Sequence, residues 1–249
     1  MKTAFITGTS SGLGRGLAGY LLAQGWAVYG CSRRGCDLPG VRDQIVDLAD
    51  PDAVPVALDD LLTGVAALDL VVLNAGILGD ISDLVRTPLQ DLRQVMEVNV
   101  WANKSVMDWL HARGGSVAQI VMISSGAAVL GNRGWSGYAL SKATLNMLAR
   151  LYAHEFPDTH IAALAPGIID TAMMDYLCEV ADAAAFPALE RLRRARGTGS
   201  MPGPREAAGR LVSVLPALKD WPSGSFVDIR EILEPEEYAR LFGRKRGPY

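Results

Sequence analysis

The sequence predicts an α/β protein whose 249 residues form one doubly wound domain around a seven-stranded parallel sheet. Short apolar and β-branched runs alternate with longer segments in which apolar residues recur at helical spacing, and a glycine-rich turn directly follows the first run. Alternating strands and helices form parallel sheets, because right-handed crossovers place helices on both faces. No Pro/Gly/Ser-rich linker and no internal repeat divides the chain, so we expect a single domain over residues 1–249.

Seven runs are predicted to be strands because each combines apolar or β-branched residues with turn-forming residues at its ends. They cover residues 3–7, 26–32, 44–48, 68–74, 118–125, 160–166 and 224–230. The fourth run, LDLVVLN, is almost wholly apolar, which is typical of a strand covered by helices on both faces. Only about a dozen residues separate the second and third runs, too few for a crossover helix, so we expect a loop or a single turn there.

Helices are predicted in the segments between the strands. They cover residues 12–24, 88–112, 136–154 and 204–215. In the first of them, Leu13, Leu17 and Leu21 recur every fourth residue and form one apolar face, and Gly25 ends the helix.

A further irregular segment, residues 171–203, is a candidate substrate lid. It contains a predicted amphipathic helix followed by GTGSMPGP, a cluster of flexible and turn-forming residues. An excursion beyond the carboxyl end of a strand lies where α/β sheets bind ligands. Two interpretations of its basic residues are open: they bind an anion, or they offset the macrodipole at the end of the helix. We favour the second. These residues are Arg191, Arg193, Arg194 and Arg196.

Composition and charge argue against several classes of protein. With a net charge of −3, 49% hydrophobic and 20% charged residues, the sequence is typical of a globular protein without the basic excess of a nucleic-acid binder. The three cysteines lack CxxC spacing and the three histidines lack metal-ligand spacing, so we expect neither disulfides nor a metal site. No segment approaches the roughly 18 apolar residues of a membrane helix, and a strand-like run follows Lys2 directly. We therefore expect a cytoplasmic protein that does not bind membranes.

The turn after the first strand, TGTSSGLG at residues 7–14, has the composition of a phosphate-binding loop. Its glycines allow a tight turn and a close approach of the backbone to a pyrophosphate, which the N-terminus of the following helix also attracts. The alternative is a tight turn without a ligand. The residues expected to bind a dinucleotide here are Gly8, Ser10, Ser11, Gly12, Leu13 and Gly14.

The end of the second strand indicates which dinucleotide fits. An acidic residue there usually binds the free adenosine ribose, but this sequence has Ser32, Arg33 and Arg34. Guanidinium groups suit the 2′-phosphate dianion of NADP, so NADP is favoured over NAD. Further residues expected along the cofactor are Asp47 and Leu48 at the adenine and Asn74, Ala75 and Gly76 after the fourth strand.

Several short motifs follow one another in order along the chain. They are TGxxxGxG at 7–14, NAG at 74–76, Asn99 within VNV, ISS at 123–125, YxxxK at 138–142 and PGIIDT at 166–171. In order and spacing these motifs resemble the short-chain dehydrogenase/reductase family over nearly the whole chain. The resemblance implies a Rossmann-like fold and an NAD(P)-dependent oxidoreductase. Two departures from the family pattern are Leu73, where asparagine is usual, and the missing helix between the second and third strands.

The resemblance also implies a catalytic group. Tyr138 and Lys142 lie four residues apart, on one face of a helix. A free phenol has a pKa of about 10, so a nearby cation has to favour its phenolate before it can exchange protons at neutral pH. By resemblance, Lys142 supplies that charge and binds the nicotinamide ribose, while Tyr138 donates a proton to a carbonyl oxygen. Ser125 would bind the same oxygen, and Asn99 would hold a water that connects Lys142 to solvent. The residues expected along the nicotinamide are Pro166, Gly167, Ile169 and Thr171.

Three stretches, GWSGYALSKATLNM, APGIIDTAM and SGSFVDIR, resemble the sepiapterin reductase and benzil reductase group within the family. This group implies an NADPH-dependent carbonyl reductase whose small-molecule substrate is a ketone or vicinal dicarbonyl. An aromatic and adaptable apolar pocket fits such substrates. Besides Ser125 and Tyr138, the residues expected at the substrate are Leu130, Trp135, Met173 and Met174, while Tyr176 and Leu177 either join them or pack the lid.

Other functions remain open. Within the family, a 3-oxoacyl-carrier-protein reductase and an alcohol or sugar dehydrogenase running in the oxidative direction are alternatives. From another class, a non-catalytic protein that senses NADP(H) is an alternative. The complete catalytic group argues against the sensor, because a sensor needs no proton donor.

We expect the protein to self-associate as a homodimer or homotetramer, as its relatives commonly do. The expected contacts are the helices at 88–112 and 136–154. The first of these helices has more apolar bulk than one sheet-facing stripe needs, at Trp101, Val106, Trp109 and Leu110. A broad core face is the alternative explanation.

Overall fold

The computed structural model describes residues 1–180, 182 and 184–242. The strands within these residues are β1 (Thr3–Thr7), β2 (Ala27–Ser32), β3 (Val41–Ile45), β4 (Ala67–Leu68), β5 (Leu70–Leu73), β6 (Ser116–Val117), β7 (Gln119–Ile123), β8 (His160–Ala165) and β9 (Ser225–Asp228). Seven of them form one sheet in the order β3-β2-β1-β5-β7-β8-β9, and every neighbouring pair is parallel. The predicted α/β fold with a seven-stranded, doubly wound sheet is confirmed.

Helices connect the strands and cover both faces of the sheet. They are α1 (Gly12–Ala23), α2 (Ala53–Leu61), α3 (Leu89–Met96), α4 (Ala102–Ala112), α5 (Ala127–Leu130), α6 (Ser136–Glu155), α7 (Ala172–Asp175), α8 (Ala188–Ala195), α9 (Pro204–Leu218), α10 (Ile229–Leu233) and α11 (Pro235–Phe242). A π-helical turn, Glu97–Trp101, joins α3 to α4, and another, Tyr176–Val180, follows α7. Of the helices in the described residues, none is long and apolar enough to cross a membrane.

The core lies on both faces of the sheet, because successive side chains of a strand point to opposite sides. On one face, Ile6 of β1 belongs to a buried cluster with residues of α1 and α9. On the other face, Phe5 belongs to a cluster with residues of α2, α4 and α6. The carboxyl ends of the parallel strands share one edge of the sheet, which is where such folds bind ligands.

The third strand differs from the prediction. It covers Val41–Ile45 rather than residues 44–48, because these are the residues that pair one for one with β2. Val46 and Leu48 are buried beyond the last paired residue, so their apolar pattern reflects core packing after the strand has ended. The connection between β2 and β3 contains no helix among its residues, as the sequence predicts.

The sequence-based prediction lacks the short helices α5, α10 and α11. Two further features are also missing from it. The first is α2, whose Pro55 lies in the first helical turn, where its missing N–H would have no intrahelical partner anyway. Val54 and Leu58 of this helix are fully buried in the core. The second is the β4–β6 pair, two residues long in each strand and too short to leave a sequence pattern.

The helix predicted over residues 88–112 is helical over nearly that range but changes type at the π-helical turn. Its apolar bulk has a structural explanation. Three of the four residues that motivate self-association are buried in the core, namely Val106, Trp109 and Leu110. Trp101 is 44% exposed and is the one of the four that faces outward.

Candidate active site

A cavity of about 700 Å³ opens at the carboxyl edge of the sheet. Sites for drug-sized ligands span roughly 300–1,000 Å³, so this cavity can hold an extended small molecule. Of the sequence-predicted site residues, Gly14 and Asn99 do not line it. The predicted residues that do line it are Gly8, Ser10, Ser11, Gly12, Leu13, Ser32, Arg33, Arg34, Asp47, Leu48, Asn74, Ala75, Gly76, Ser125, Leu130, Trp135, Tyr138, Lys142, Pro166, Gly167, Ile169, Thr171, Met173 and Met174.

The glycine turn between β1 and α1 brings the backbone to the cavity. Gly8 and Gly12 have positive φ angles of 79° and 55°, a conformation that favours glycine. Gly14 does not line the cavity but packs against the backbone of the turn. A Cβ on Gly14 would lie 2.2 Å from the carbonyl oxygen of Gly8, so only glycine lets α1 start directly beneath the turn. Asn74 ties the turn to β5, because its Nδ2 donates to the carbonyl oxygen of Thr7 at 3.0 Å. The N-terminus of α1 thus borders the cavity, where its dipole favours an anion.

The loop after β2 carries the residues predicted to select the cofactor. Arg33 and Arg34 are exposed, and Arg34 Nη2 donates to Ser11 Oγ at 3.3 Å. Ser32 Oγ is buried in the cavity wall and has no hydrogen-bond partner among the described residues. An unsatisfied buried hydroxyl is costly, so this atom fits a ligand that brings an acceptor oxygen to it.

Asp43 of β3, which no motif singles out, holds this loop against the glycine turn. Its Oδ1 accepts a hydrogen bond from Thr9 Oγ1 at 2.6 Å, and its Oδ2 accepts one from the backbone N–H of Cys36 at 2.9 Å. The carboxylate reaches Thr9 across Gly30, where a Cβ would lie 2.8 Å from Asp43 Oδ1. Asp43 therefore links the glycine turn to the loop that carries Arg33 and Arg34.

Tyr138 and Lys142 lie one turn apart on α6 and both line the cavity. Lys142 is buried, its Nζ donates to the carbonyl oxygen of Ile123 at 2.7 Å, and Nζ lies 5.7 Å from the centroid of the Tyr138 ring. Burial lowers the pKa of Lys142 to about 8. Burial also raises the pKa of Tyr138, and a hydrogen bond with the Ser125 side chain opposes that shift. The three side chains are therefore together, with a protonated phenol beside a buried cation.

The position of Ser125 follows from the end of β7. Its Oγ accepts a hydrogen bond from the N–H of Ala127 at 3.1 Å, at the start of α5. The neighbouring Ser124 uses its hydroxyl elsewhere, because its Oγ lies 2.6 Å from Asn146 Oδ1. Of the two serines, Ser125 is the one whose side chain lies close enough to Tyr138 to lower its pKa.

Asn99 lies in the π-helical turn behind the cavity and is fully buried. Its Oδ1 accepts from the N–H of Ile77 at 2.8 Å, and its Nδ2 donates to the carbonyl oxygen of Ile77 at 2.8 Å and to Ser141 Oγ at 2.9 Å. A Cβ on Gly76 would lie 3.1 Å from Asn99 Oδ1 and 3.6 Å from Lys142 Nζ. Asn99 therefore fixes the wall next to Lys142, and the water expected from the family resemblance stays a prediction.

The other end of the cavity is apolar. The rings of Trp135 and Tyr138 have centroids 6.0 Å apart. Segment 171–203 covers this end through a cluster whose buried members are Leu78, Leu177, Leu189 and Leu192. Leu177 also lines the cavity, whereas Tyr176 packs in the lid, its hydroxyl 3.5 Å from the nitrogen of Ile81.

The arginines of the lid segment have different surroundings. Arg196 forms ion pairs with three carboxylates, those of Asp170, Asp175 and Glu179. Arg194 pairs with Glu190, one helical turn away, at 3.1 Å. Arg191 lines the cavity. Arg230 and Asn132 also line it, although no sequence pattern places these two residues at the site. Among the residues that the structure describes, no group of three or more His, Cys, Asp or Glu side chains could hold a metal ion.

Comparison with known proteins identifies the class to which this site belongs. A family model described as short chain dehydrogenase matches residues 2–180. The chain therefore belongs to the short-chain dehydrogenase family and is a short-chain oxidoreductase with a nucleotide-binding Rossmann fold. This family binds NAD(P).

Individual relatives narrow the class further. Benzil reductase ((S)-benzoin forming) from Bacillus subtilis is 29% identical over 247 residues, covering 94% of this chain and 100% of that protein. A benzil reductase from Saccharomyces cerevisiae is 28% identical over 91% of this chain and 95% of its own length. A solved short-chain dehydrogenase/reductase from Saccharomyces cerevisiae shares the fold, with a TM-score of 0.79 and 22% identity over 92% of this chain and 96% of that one. The chain is thus a family member near the benzil reductase group.

Proposed function

We propose that this protein is an NADPH-dependent carbonyl reductase that reduces ketones or vicinal dicarbonyls, with Tyr138 as the proton donor. The observation that carries the proposal is the position of Tyr138, Lys142 and Ser125 in one cavity, between a glycine turn and an apolar end. Similarity to benzil reductases supports the substrate class.

The side chains at the centre of the cavity suit proton donation to a carbonyl oxygen. Tyr138 holds its proton at neutral pH because burial raises its pKa. Lys142 supplies a positive charge that stabilises the phenolate left after the proton has moved. Ser125, which lines the cavity together with Tyr138, would donate to the same carbonyl oxygen and stabilise its developing negative charge.

The opposite part of the cavity fits the nicotinamide dinucleotide. The start of α1 would hold the diphosphate, while Arg33, Arg34 and the unsatisfied hydroxyl of Ser32 would hold a 2′-phosphate. Asp47 and Leu48 would bind the adenine. Asn74–Gly76 and the Pro166–Thr171 segment would line the rest of the cofactor, which supplies the hydride when bound.

The apolar end fits a bulky ketone better than a sugar. Trp135, Leu130 and the thioethers of Met173 and Met174 provide flat and adaptable contacts for aromatic rings. The two helices of the 171–203 segment would act as the lid that excludes water from the reacting carbonyl.

The test is NADPH oxidation against a panel of benzil, other vicinal diketones, sugars and acetoacetyl thioesters. We expect kcat/KM for aryl diketones to exceed that for acetoacetyl thioesters by at least about tenfold, the discrimination that one apolar contact can provide. The reverse ranking would favour the acyl-carrier-protein reductase. NADPH binding without turnover of any substrate would favour the NADP(H) sensor.

A further inference from the structure

The basic side chains of the cavity divide into two sets. Among the described residues, five basic side chains line it, which are Arg33, Arg34, Lys142, Arg191 and Arg230. The first two suit the ribose phosphate of the cofactor, and Lys142 lies beside Tyr138. The proposed function gives Arg191 and Arg230 no role.

The sheet order separates the start of α10 from the glycine turn. Arg230 is the second residue after β9, and β9 lies four strand positions from β1, which leads into the glycine turn. At about 4.8 Å per strand, this is a separation of roughly 19 Å. β9 neighbours β8, whose end leads into the Pro166–Thr171 segment. Ile229, the residue before Arg230, has its Cγ2 3.7 Å from the position of a Cβ on Gly167, so Arg230 lies on the side of the cavity formed by the Pro166–Thr171 segment, where the nicotinamide is expected.

Arg230 is held in a fixed orientation. Its Nε and Nη2 donate to the two carboxylate oxygens of Asp228 at 2.8 and 2.6 Å. Asp228 is only 2% exposed and also accepts from the backbone N–H of Arg230 at 3.0 Å. A bidentate pair with a buried carboxylate fixes the plane of a guanidinium group.

Arg191 differs from its neighbours in the lid. No hydrogen bond or ion pair of Arg191 is found within the described residues, although Arg194 and Arg196 on the same segment both pair with carboxylates. Burial lowers the pKa of Arg191, the charge of Arg230 lowers it further, and Asp228 raises it. Arg191 therefore lies close enough to Arg230 and Asp228 in the cavity wall to sense their charges. The next residue, Leu192, is buried in the apolar lid cluster.

We propose that Arg191, with Arg230 beside it, binds a carboxylate carried by the ketone substrate. The inference rests on the proposed carbonyl reduction and specifies its substrate as a bulky ketone with an anionic group at the end remote from the reacting carbonyl. Its apolar body would lie along the Leu192 side of the lid, and its carboxylate would meet the guanidinium of Arg191. Guanidinium groups recognise carboxylates through paired, charge-assisted hydrogen bonds.

The experiment compares benzil with its para-carboxylated analogue in the wild type, Arg191→Gln and Arg194→Gln. We expect Arg191→Gln to lower kcat/KM for the carboxylated ketone at least about tenfold, the equivalent of one charge-assisted hydrogen bond. Its kcat/KM for benzil and its Kd for NADPH, measured by fluorescence titration, should stay near the wild-type values. Arg194→Gln is the matched control, because Arg194 pairs with Glu190 on the same helix, and it should change none of these values.

Calorimetry supplies a readout that does not depend on turnover. The carboxylated alcohol product should bind the NADP-loaded wild type more tightly than it binds the NADP-loaded Arg191→Gln variant. Equal losses for benzil and its carboxylated analogue would overturn the inference in favour of lid packing, and a weaker Kd for NADPH would overturn it in favour of a cofactor phosphate. If the wild type reduces neither ketone, the proposed function fails, and the calorimetric difference still decides whether the carboxylate site exists.

Discussion

Replacing both Arg33 and Arg34 with alanine should change the choice between NADPH and NADH. Both side chains are exposed, and Arg34 already contacts Ser11 at the glycine turn. A charge-assisted hydrogen bond contributes ~1.5–3 kcal/mol, and exposure places each arginine at the lower end of this range. Two such bonds amount to about 3 kcal/mol, which is roughly a hundredfold loss, since 1.36 kcal/mol corresponds to a factor of ten. NADH lacks the 2′-phosphate, so its binding should change little.

The assay is the ratio of kcat/KM for NADPH to kcat/KM for NADH with one saturating ketone. Arg15→Ala is the matched control, because Arg15 pairs with Asp37 at 2.7 Å nearby and does not line the cavity. It should leave the ratio unchanged. Equal losses for the two cofactors in the double variant would show that these arginines do not bind the 2′-phosphate, and the assignment of NADP would then be wrong.

Four further predictions follow from the site and its surroundings. Tyr138→Phe should lower kcat by several orders of magnitude with little change in the Kd for NADPH, and retention of a tenth of wild-type turnover would refute the proton donor. Because the pKa of Lys142 is about 8 in the free enzyme, kcat/KM should fall as the pH rises through this value and the cation is lost; a flat alkaline profile would contradict its role. Asp43→Ala removes the acceptors for Thr9 Oγ1 and the Cys36 N–H, so the KM for NADPH should rise several-fold more than that for NADH, and equal rises for the two cofactors would contradict this role. Sedimentation should show a dimer or tetramer that Trp101→Lys with Leu151→Lys disrupts, since these residues are 44% and 55% exposed, and a wild-type monomer at micromolar concentration would exclude this interface.

The order of strands and helices could be predicted because a buried parallel sheet leaves a strong local pattern. Each central strand is apolar on both faces, and each covering helix has a stripe with helical spacing. The pattern is weaker at the edge strand β3, where two of the five residues are exposed. The predicted bounds of this strand, residues 44–48, were wrong. The apolar residues Val46 and Leu48 pack into the core after the strand has ended, so burial and strand pairing do not coincide.

The site residues also differ in whether a local sequence pattern or only the folded structure places them. Tyr138 and Lys142 could be placed together because a spacing of four puts them on one helical face, and the family resemblance then indicated their roles. Asp43 could not, because its bond to Thr9 depends on the register of β3 against β2 and on the missing side chain of Gly30 between them. Arg191 could not be separated from the other lid arginines either, because only the orientation of α8 determines which of them turns toward the cavity.

The surroundings of Lys142 bear directly on the proposed proton transfer. Its partner is the carbonyl oxygen of Ile123, and burial is the cause of its lowered pKa, so none of the carboxylates that the structure describes neutralises its charge. The Nζ of Lys142 lies 5.7 Å from the centroid of the Tyr138 ring, a distance at which an ammonium group attracts a phenolate. Before the transfer, burial disfavours both charged forms, which keeps the phenol protonated and ready to donate. After the transfer, the new phenolate faces a cation whose charge is otherwise uncompensated. The same burial that makes Tyr138 a poor acid by itself therefore makes the ion pair with Lys142 effective at the moment the proton leaves.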